Sequence, residues 1–109
     1  MPRELTVEAM ELIAERFRIL SEPTRLRILH TLRNGELTVT ELTRELKISQ
    51  PNASKHLRTL LESGMLKRRQ RGNSVFYAIA DESIFALCEA VCDSLEEKYK
   101  KRASVFAFA

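Results

Sequence analysis

The chain has 109 residues, a formal net charge of +3 and 44% hydrophobic residues, which suits one globular domain spanning residues 1–109. No apolar run approaches the roughly 18–20 residues of a membrane helix, and the N-terminus lacks a secretory h-region, so we expect a cytoplasmic protein with no membrane partner. Two cysteines are too few for a disulfide framework and are expected to be thiols. The sequence has no Gly-rich phosphate loop, nucleophile elbow or metal-ligand helix motif, so we do not expect an enzyme.

The first two predicted helices have apolar residues three or four positions apart. Helix one is predicted over about residues 6–20, with its glutamates on the solvent side. Helix two follows Ser21, which we assign as its N-cap, with Pro23 in the first turn. Asn34 and Gly35 should end it.

A helix-turn-helix is predicted over about residues 38–63. Thr38 and Glu41 form a capping-box pattern before a short helix that ends near Leu46, and a tight turn at Lys47 and Ile48 follows. Ser49 then caps a second helix that runs to about Ser63. In such units the second helix enters the major groove of DNA with its N-terminal residues at the base edges.

The hydrophobic period changes from 3.6 to 2 after this unit. Two strands over about residues 66–79, joined by Arg71-Gly72-Asn73, predict a β-hairpin. A last helix is predicted from about Ser83 to Lys101, with a long apolar stripe that needs a partner surface. The predicted fold is therefore mainly α with a β-hairpin wing, a winged helix-turn-helix with about five helices.

Basic charge is concentrated where this fold would meet DNA. Between positions 55 and 71 the chain has six basic residues and one acid, as a phosphate-binding surface requires. Gln and Asn side chains can pair with adenine, and Lys and Arg can reach guanine or phosphate. The candidate DNA-binding residues are Ser49, Gln50, Asn52, Ser54, Lys55, His56, Arg58, Lys67, Arg69 and Arg71, with Arg68 in the same strand. A solvated polar helix followed by a solvated basic hairpin is the alternative interpretation of the same residues.

Three segments resemble the ArsR/SmtB family of repressors: LSEPTRLRIL at 20–29, ELTREL at 41–46 and ISQPNASKHLRTL at 48–60. The hairpin is also similar, and the resemblance covers about residues 10–100. It implies a homodimer built mainly from the first and last helices. It also implies binding of double-stranded operator DNA with an imperfect inverted repeat, and release by an inducer.

The resemblance also directs attention to three kinds of inducer site. The positions matching the family's zinc site are Asp81, Ser83, Ser94 and Glu97. Serine is a poor ligand for zinc, so we expect no working zinc site there and interpret Asp81 as a helix-start residue. A Cys-x-Cys site before the recognition helix is excluded because residues 36–48 contain no cysteine.

Cys88 and Cys92 remain as the candidate metal or thiol sensor. Their i, i+4 spacing puts both sulfurs on one helix face, which suits As(III), Sb(III) or another thiophilic ion, or oxidation by reactive sulfur species. Both also lie in an apolar stripe, where cysteine packs as a small hydrophobe. A ligand-independent regulator with structural cysteines and a protein-interaction module therefore remain alternatives.

Overall fold

The fold is described by a computed structural model covering residues 3–99, which form five helices and a three-stranded antiparallel sheet. The helices are α1 (Val7–Leu20), α2 (Pro23–Leu32), α3 (Val39–Leu46), α4 (Gln50–Glu62) and α5 (Ser83–Lys98). The strands are β1 (Leu37–Thr38), β2 (Leu66–Arg71) and β3 (Ser74–Ile79), in the order β1-β3-β2. The predicted mainly α fold with a hairpin wing is confirmed. Within residues 3–99 no helix has the length and apolarity to span a membrane.

The two helices of the helix-turn-helix begin where their capping residues predict. Thr38 Oγ1 accepts a hydrogen bond from the Glu41 amide at 3.2 Å, and Glu41 accepts one from the Thr38 amide at 2.9 Å. Ser49 Oγ accepts from the Asn52 amide at 3.2 Å. Each cap satisfies amides that the first helical turn leaves unpaired, which fixes where α3 and α4 start.

Two details of the prediction are corrected, and a third falls partly on residues that the structure does not describe. Glu22, not Ser21, caps α2: its carboxylate accepts from the Thr24 amide at 2.9 Å, whereas the Ser21 hydroxyl donates back to the Arg18 carbonyl at the end of α1. The two-residue strand β1 was missed because it is too short to show alternation. Helix α5 ends at Lys98, and the predicted extension to residue 101 lies outside the described residues.

Leucines and isoleucines from α2, α3 and α4 form the centre of the core. Ile28, Leu29, Leu42, Leu57 and Leu60 are at most 1% exposed. Met65, at the entrance to the wing, is also fully buried. This packing holds α4 against the rest of the domain with its other side exposed.

Helices α1 and α5 leave part of their apolar stripes uncovered. Val7, Met10, Ile13 and Phe17 on α1 are 40–70% exposed, and Val91, Leu95 and Tyr99 on α5 are 37–47% exposed. We call these seven residues the α1/α5 face. Large exposed apolar patches of this kind mark interaction surfaces in soluble proteins.

The turn between α3 and α4 contains a strained residue whose replacement should stabilise the protein. Lys47 caps α3 in the left-handed conformation, with φ 56° and ψ 47°. We expect Lys47→Gly to raise the free energy of unfolding by about 0.5–1 kcal/mol, because glycine adopts this conformation without a Cβ penalty. Urea denaturation measures the change. The control is Arg44→Gly in the helical part of α3, which should lower stability by about 1 kcal/mol; an equal loss for both variants would contradict the prediction.

Candidate nucleic-acid interface and thiol site

The polar side of α4 lies at the surface of the domain. Ser49, Gln50, Ser54, Lys55 and Arg58 are exposed, and Asn52 is half-buried. The Ser49 cap places the first turn of the helix at this surface, with the side chains of Gln50 and Asn52 in it. This arrangement presents hydrogen-bonding groups first and cations behind them, as insertion into a major groove requires.

The wing adds basic side chains beside α4. Lys67, Arg68, Arg69 and Arg71 are all exposed on β2. Two of them also interact within the chain: Arg71 lies 2.8 Å and Arg69 3.8 Å from the carboxylate of Glu36. Part of the positive charge at the wing tip is therefore compensated in the isolated chain.

A groove of about 530 Å³ lies between α4 and the wing, and residues of both line it. Its polar lining comes from Ser54, Lys55, Arg58 and the acidic Glu62 on one side and from Arg68 and Tyr77 on the other. Arg68 and Tyr77 are register partners in the β2–β3 ladder. A tyrosine hydroxyl is a common donor to phosphate. Tyr77 was not among the predicted site residues, and the predicted three-residue turn at 71–73 would have placed it opposite Lys67, whereas in the structure Arg71 pairs with Ser74 and Tyr77 lies opposite Arg68.

His56 does not lie on this surface, which corrects its assignment as a DNA-binding residue. It is 5% exposed, on the core side of α4, while its neighbours Ser54, Lys55 and Arg58 point outward. Its Nε2 lies 2.8 Å from Glu22 Oε2, and its Nδ1 accepts from Arg25 Nε at 3.1 Å. Burial lowers the pKa of His56 below its ordinary value of 6.5, more than the neighbouring Glu22 carboxylate raises it.

Cys88 and Cys92 line a second cavity of about 380 Å³, between α1, α2 and α5. Both are thiols. The other lining residues are mostly apolar: Phe17, Leu20, Ser21, Leu26, His30, Leu87, Val91 and Leu95. Burial raises the pKa of both thiols, and the carboxylates of Glu89, Glu96 and Asp93 raise that of Cys92 further.

The structure brings the two cysteines to one cavity but supplies no complete set of metal ligands. Among residues 3–99, no group of three His, Cys, Asp or Glu side chains is placed to hold a metal ion. Asp81 has partners of its own: its carboxylate accepts from Arg16 at 3.1 Å and from the Ser83 amide at 3.0 Å. Asp81 therefore ties α1 to the start of α5.

Known proteins resemble this chain over most of its length. The family described as "Bacterial regulatory protein, arsR family" matches residues 22–68. A "Transcriptional repressor SmtB homolog" of Synechocystis is 33% identical over 96 residues, which cover 88% of this chain and 73% of that protein. The "AntR antimony-specific transcriptional repressor" superposes with a TM-score of 0.76 and 29% identity over 92% of each chain. The homodimeric winged helix-turn-helix DNA-binding domain of Mb0332 from Mycobacterium bovis does so with a TM-score of 0.71 and 28% identity, over 85% of this chain and 91% of that one.

Proposed function

The chain belongs to the ArsR family of DNA-binding transcriptional repressors, and from this premise we propose that it acts as a homodimer on an inverted-repeat operator and is released by a thiophilic metalloid at Cys88 and Cys92. Each subunit would insert α4 into the major groove of one half-site. The wing would bind the adjacent phosphates. The metalloid, As(III) or Sb(III), would bind in the cavity between α1, α2 and α5.

The observation that carries the DNA-binding part is the continuous surface formed by α4, the groove and the wing. The amides of Gln50 and Asn52 lie at the start of α4. Lys55, Arg58 and Arg68 line the groove between this helix and the wing. Phosphate contacts position a protein on DNA, while contacts to base edges provide the specificity. DNA binding requires amides at the start of the helix and cations beside them, whereas a protein-interaction module does not require this arrangement.

The homodimer is supported by the α1/α5 face. This face contains seven of the nine large hydrophobic residues that are exposed among residues 3–99, and a second copy of the same face would bury it. The Mycobacterium bovis domain with the same fold is described as homodimeric. A two-fold dimer presents two copies of α4 to DNA, which requires an operator with matching two-fold symmetry.

The surroundings of the two thiols support a metalloid as the class of inducer. Reaction with oxidants or reactive sulfur proceeds through thiolates, and the raised pKa of both cysteines reduces the thiolate fraction at neutral pH. Trivalent arsenic hydroxide is also bound through sulfur, but by ligand exchange and without an oxidant: each As–S bond forms as one As–OH bond breaks, and the thiol proton leaves with the hydroxide as water. Cys88 and Cys92 supply two sulfurs, and a third ligand would come from the partner subunit or from a retained hydroxide.

We expect As(III) to release the wild-type protein from DNA and to leave the Cys88→Ser/Cys92→Ser variant bound. The measurement is fluorescence anisotropy with a duplex selected from a random-sequence pool by the reduced wild-type protein. Inducers of this kind typically change DNA affinity by about 5- to 150-fold, the usual range of coupling between two sites. A peroxide and a persulfide donor are tested in parallel.

Ser94→Ala, an exposed position on the same helix, is the matched control and should release normally. Release of the double-serine variant by As(III) would show that the thiols are not the sensor. Tight binding unaffected by every reagent would favour a ligand-independent regulator whose cysteines only pack. Release by the persulfide donor alone would replace the metalloid with reactive sulfur as the inducer.

A further inference from the structure

A polar cluster around the buried His56 and the partly exposed Glu22 and Arg25 joins the end of α1, the start of α2 and the middle of α4. The His56 side chain is 6% exposed and bonds to Glu22 through Nε2 and to Arg25 through Nδ1, at 2.8 and 3.1 Å. Arg25 Nη1 also donates to the Ile19 carbonyl, at 3.2 Å. The three helices are thus connected through one imidazole ring, at a position where apolar packing would have sufficed to fill space.

The hydrogen bonds define the protonation state of the ring. The guanidinium of Arg25 can only donate, so Nδ1 must be the acceptor and the proton of the neutral ring lies on Nε2, where it is donated to Glu22. The Glu22 carboxylate is ionised, because its hydrogen bond from Thr24 lowers the pKa of Glu22. A second proton on Nδ1 would face the N–H of Arg25 and abolish that bond.

We propose that neutral His56 is a positioning residue for operator recognition, which sets the orientation of α4 through Glu22 and Arg25 without touching DNA. The proposal rests on α4 being the DNA-reading helix, as proposed above. Bonds on opposite edges of the ring restrain both rotation and sliding of α4 against α2. Since Gln50 and Asn52 lie less than two turns before His56, a rotation at the ring moves both amides relative to the base edges.

The same geometry predicts a dependence on pH. The charged groups that face the ring are Glu22, which favours its protonation, and Arg25 and Lys55, which oppose it together with burial. The pKa of His56 therefore lies below 6.5 in the folded protein, and the ring is neutral at pH 7. As the pH falls through this pKa, the Arg25 bond is lost, and both sequence-specific binding and the associated folding stability should decrease.

The test compares His56→Asn and His56→Gln, because the Asn amide can retain the acceptor for Arg25 and the Gln amide the donor for Glu22. Affinities are measured for a duplex selected from a random pool by the wild-type protein and for a scrambled duplex of the same length. We expect the ratio of selected to scrambled affinity to fall roughly tenfold or more, as for loss of a buried hydrogen bond. Binding to scrambled DNA should stay within about twofold, since the cations that contact phosphate are unchanged.

Lowering the pH from about 7.5, as far as the protein remains folded, should reduce the same ratio for the wild-type protein and for His30→Gln, but not for His56→Asn. His30 is the control because it is the other histidine and is exposed on α2. If the His56 variants do not fold, the same affinity ratio is measured for Glu22→Gln, which removes the charge that His56 bonds to, and for the wild-type protein as a function of pH.

Variants that lose thermal stability but keep the affinity ratio would overturn the proposal, as would a wild-type ratio independent of pH. These outcomes differ from failure of the proposed function, in which the wild-type protein would enrich no duplex from the pool at all.

Discussion

Val91→Glu is expected to convert the protein from a dimer to a monomer and to weaken operator binding by about 10²–10⁴-fold, the range over which linked sites exceed single ones. Val91 is 47% exposed in the isolated chain and central to the α5 part of the α1/α5 face. A carboxylate there remains hydrated in the monomer but would be buried, twice over, in a two-fold dimer. Burial of unpaired charge is among the most costly changes at an interface.

Sedimentation measures the mass of each variant, and fluorescence anisotropy measures its affinity for the selected duplex. Ala90→Glu is the matched control, since Ala90 is exposed and lies about 100° round α5 from Val91, outside the apolar stripe of Val91 and Leu95. The control should remain dimeric and bind normally. A dimeric Val91→Glu protein would show that the interface lies elsewhere, and a monomeric one with full affinity would show that each half-site is bound independently.

The double variant Gln50→Ala/Asn52→Ala should lose about 2–6 kcal/mol of sequence-specific binding per half-site, or at least roughly 30-fold in affinity for each half-site. Each amide can make a bidentate pair with adenine, and such a pair contributes about 1–3 kcal/mol of discrimination. Both side chains stand in the first turn of α4, where Ser49 caps the helix and leaves them directed away from the core. Folding should be little affected, because Gln50 is exposed and Asn52 is bonded to Ser49 through its backbone amide rather than its side chain.

The dependence on salt distinguishes loss of base contacts from loss of phosphate contacts. Removing the two amides should leave the slope of log affinity against log salt unchanged, since no counterion release is lost. Arg58→Ala/Lys67→Ala should instead reduce that slope by about 2 per subunit, or about 4 for the dimer, and weaken selected and scrambled duplexes alike. A double amide variant with a reduced slope and unaltered specificity would exclude α4 as the reading element.

The sequence predicted those parts of the fold that are determined by local chemistry. Thr38 and Glu41 mark the start of α3, and Ser49 marks the start of α4, because their side chains bond to backbone amides within three residues. Pro51 adds to the second signal because its fixed φ suits the first turn of a helix. The period change after Gly64 likewise located the hairpin. The exposed side of α4 could also be identified, since the leucine stripe determines which residues face away from the core.

Long-range contacts between polar side chains could not be predicted in this way. His56 was grouped with the DNA-binding residues because it is polar and lies on α4, yet its partners Glu22 and Arg25 are more than 30 positions away in sequence. Ser21 was preferred as a cap over Glu22 on residue preference alone, although the backbone places the glutamate carboxylate at the Thr24 amide. The β1 strand depends on a partner far along the chain, with Leu37 opposite Tyr77 and Thr38 opposite Phe76.

This short strand determines how the wing can bend. At Phe76 and Tyr77, β3 is hydrogen-bonded to strands on both sides, and Thr38 of β1 is also the residue that caps α3. The middle of β3 is therefore hydrogen-bonded to the strand that leads into α3, so this part of the wing is fixed relative to the helix-turn-helix. Toward the turn, the segment from Gln70 to Val75 extends beyond β1 and is paired between β2 and β3 alone, although the Arg71–Glu36 ion pair still ties its end to the residue before β1. Elastic bending should concentrate in this segment, as far as that ion pair allows, while the angle at Phe76 and Tyr77 stays constant. Such a wing can follow local variation in groove width without altering the alignment of α4.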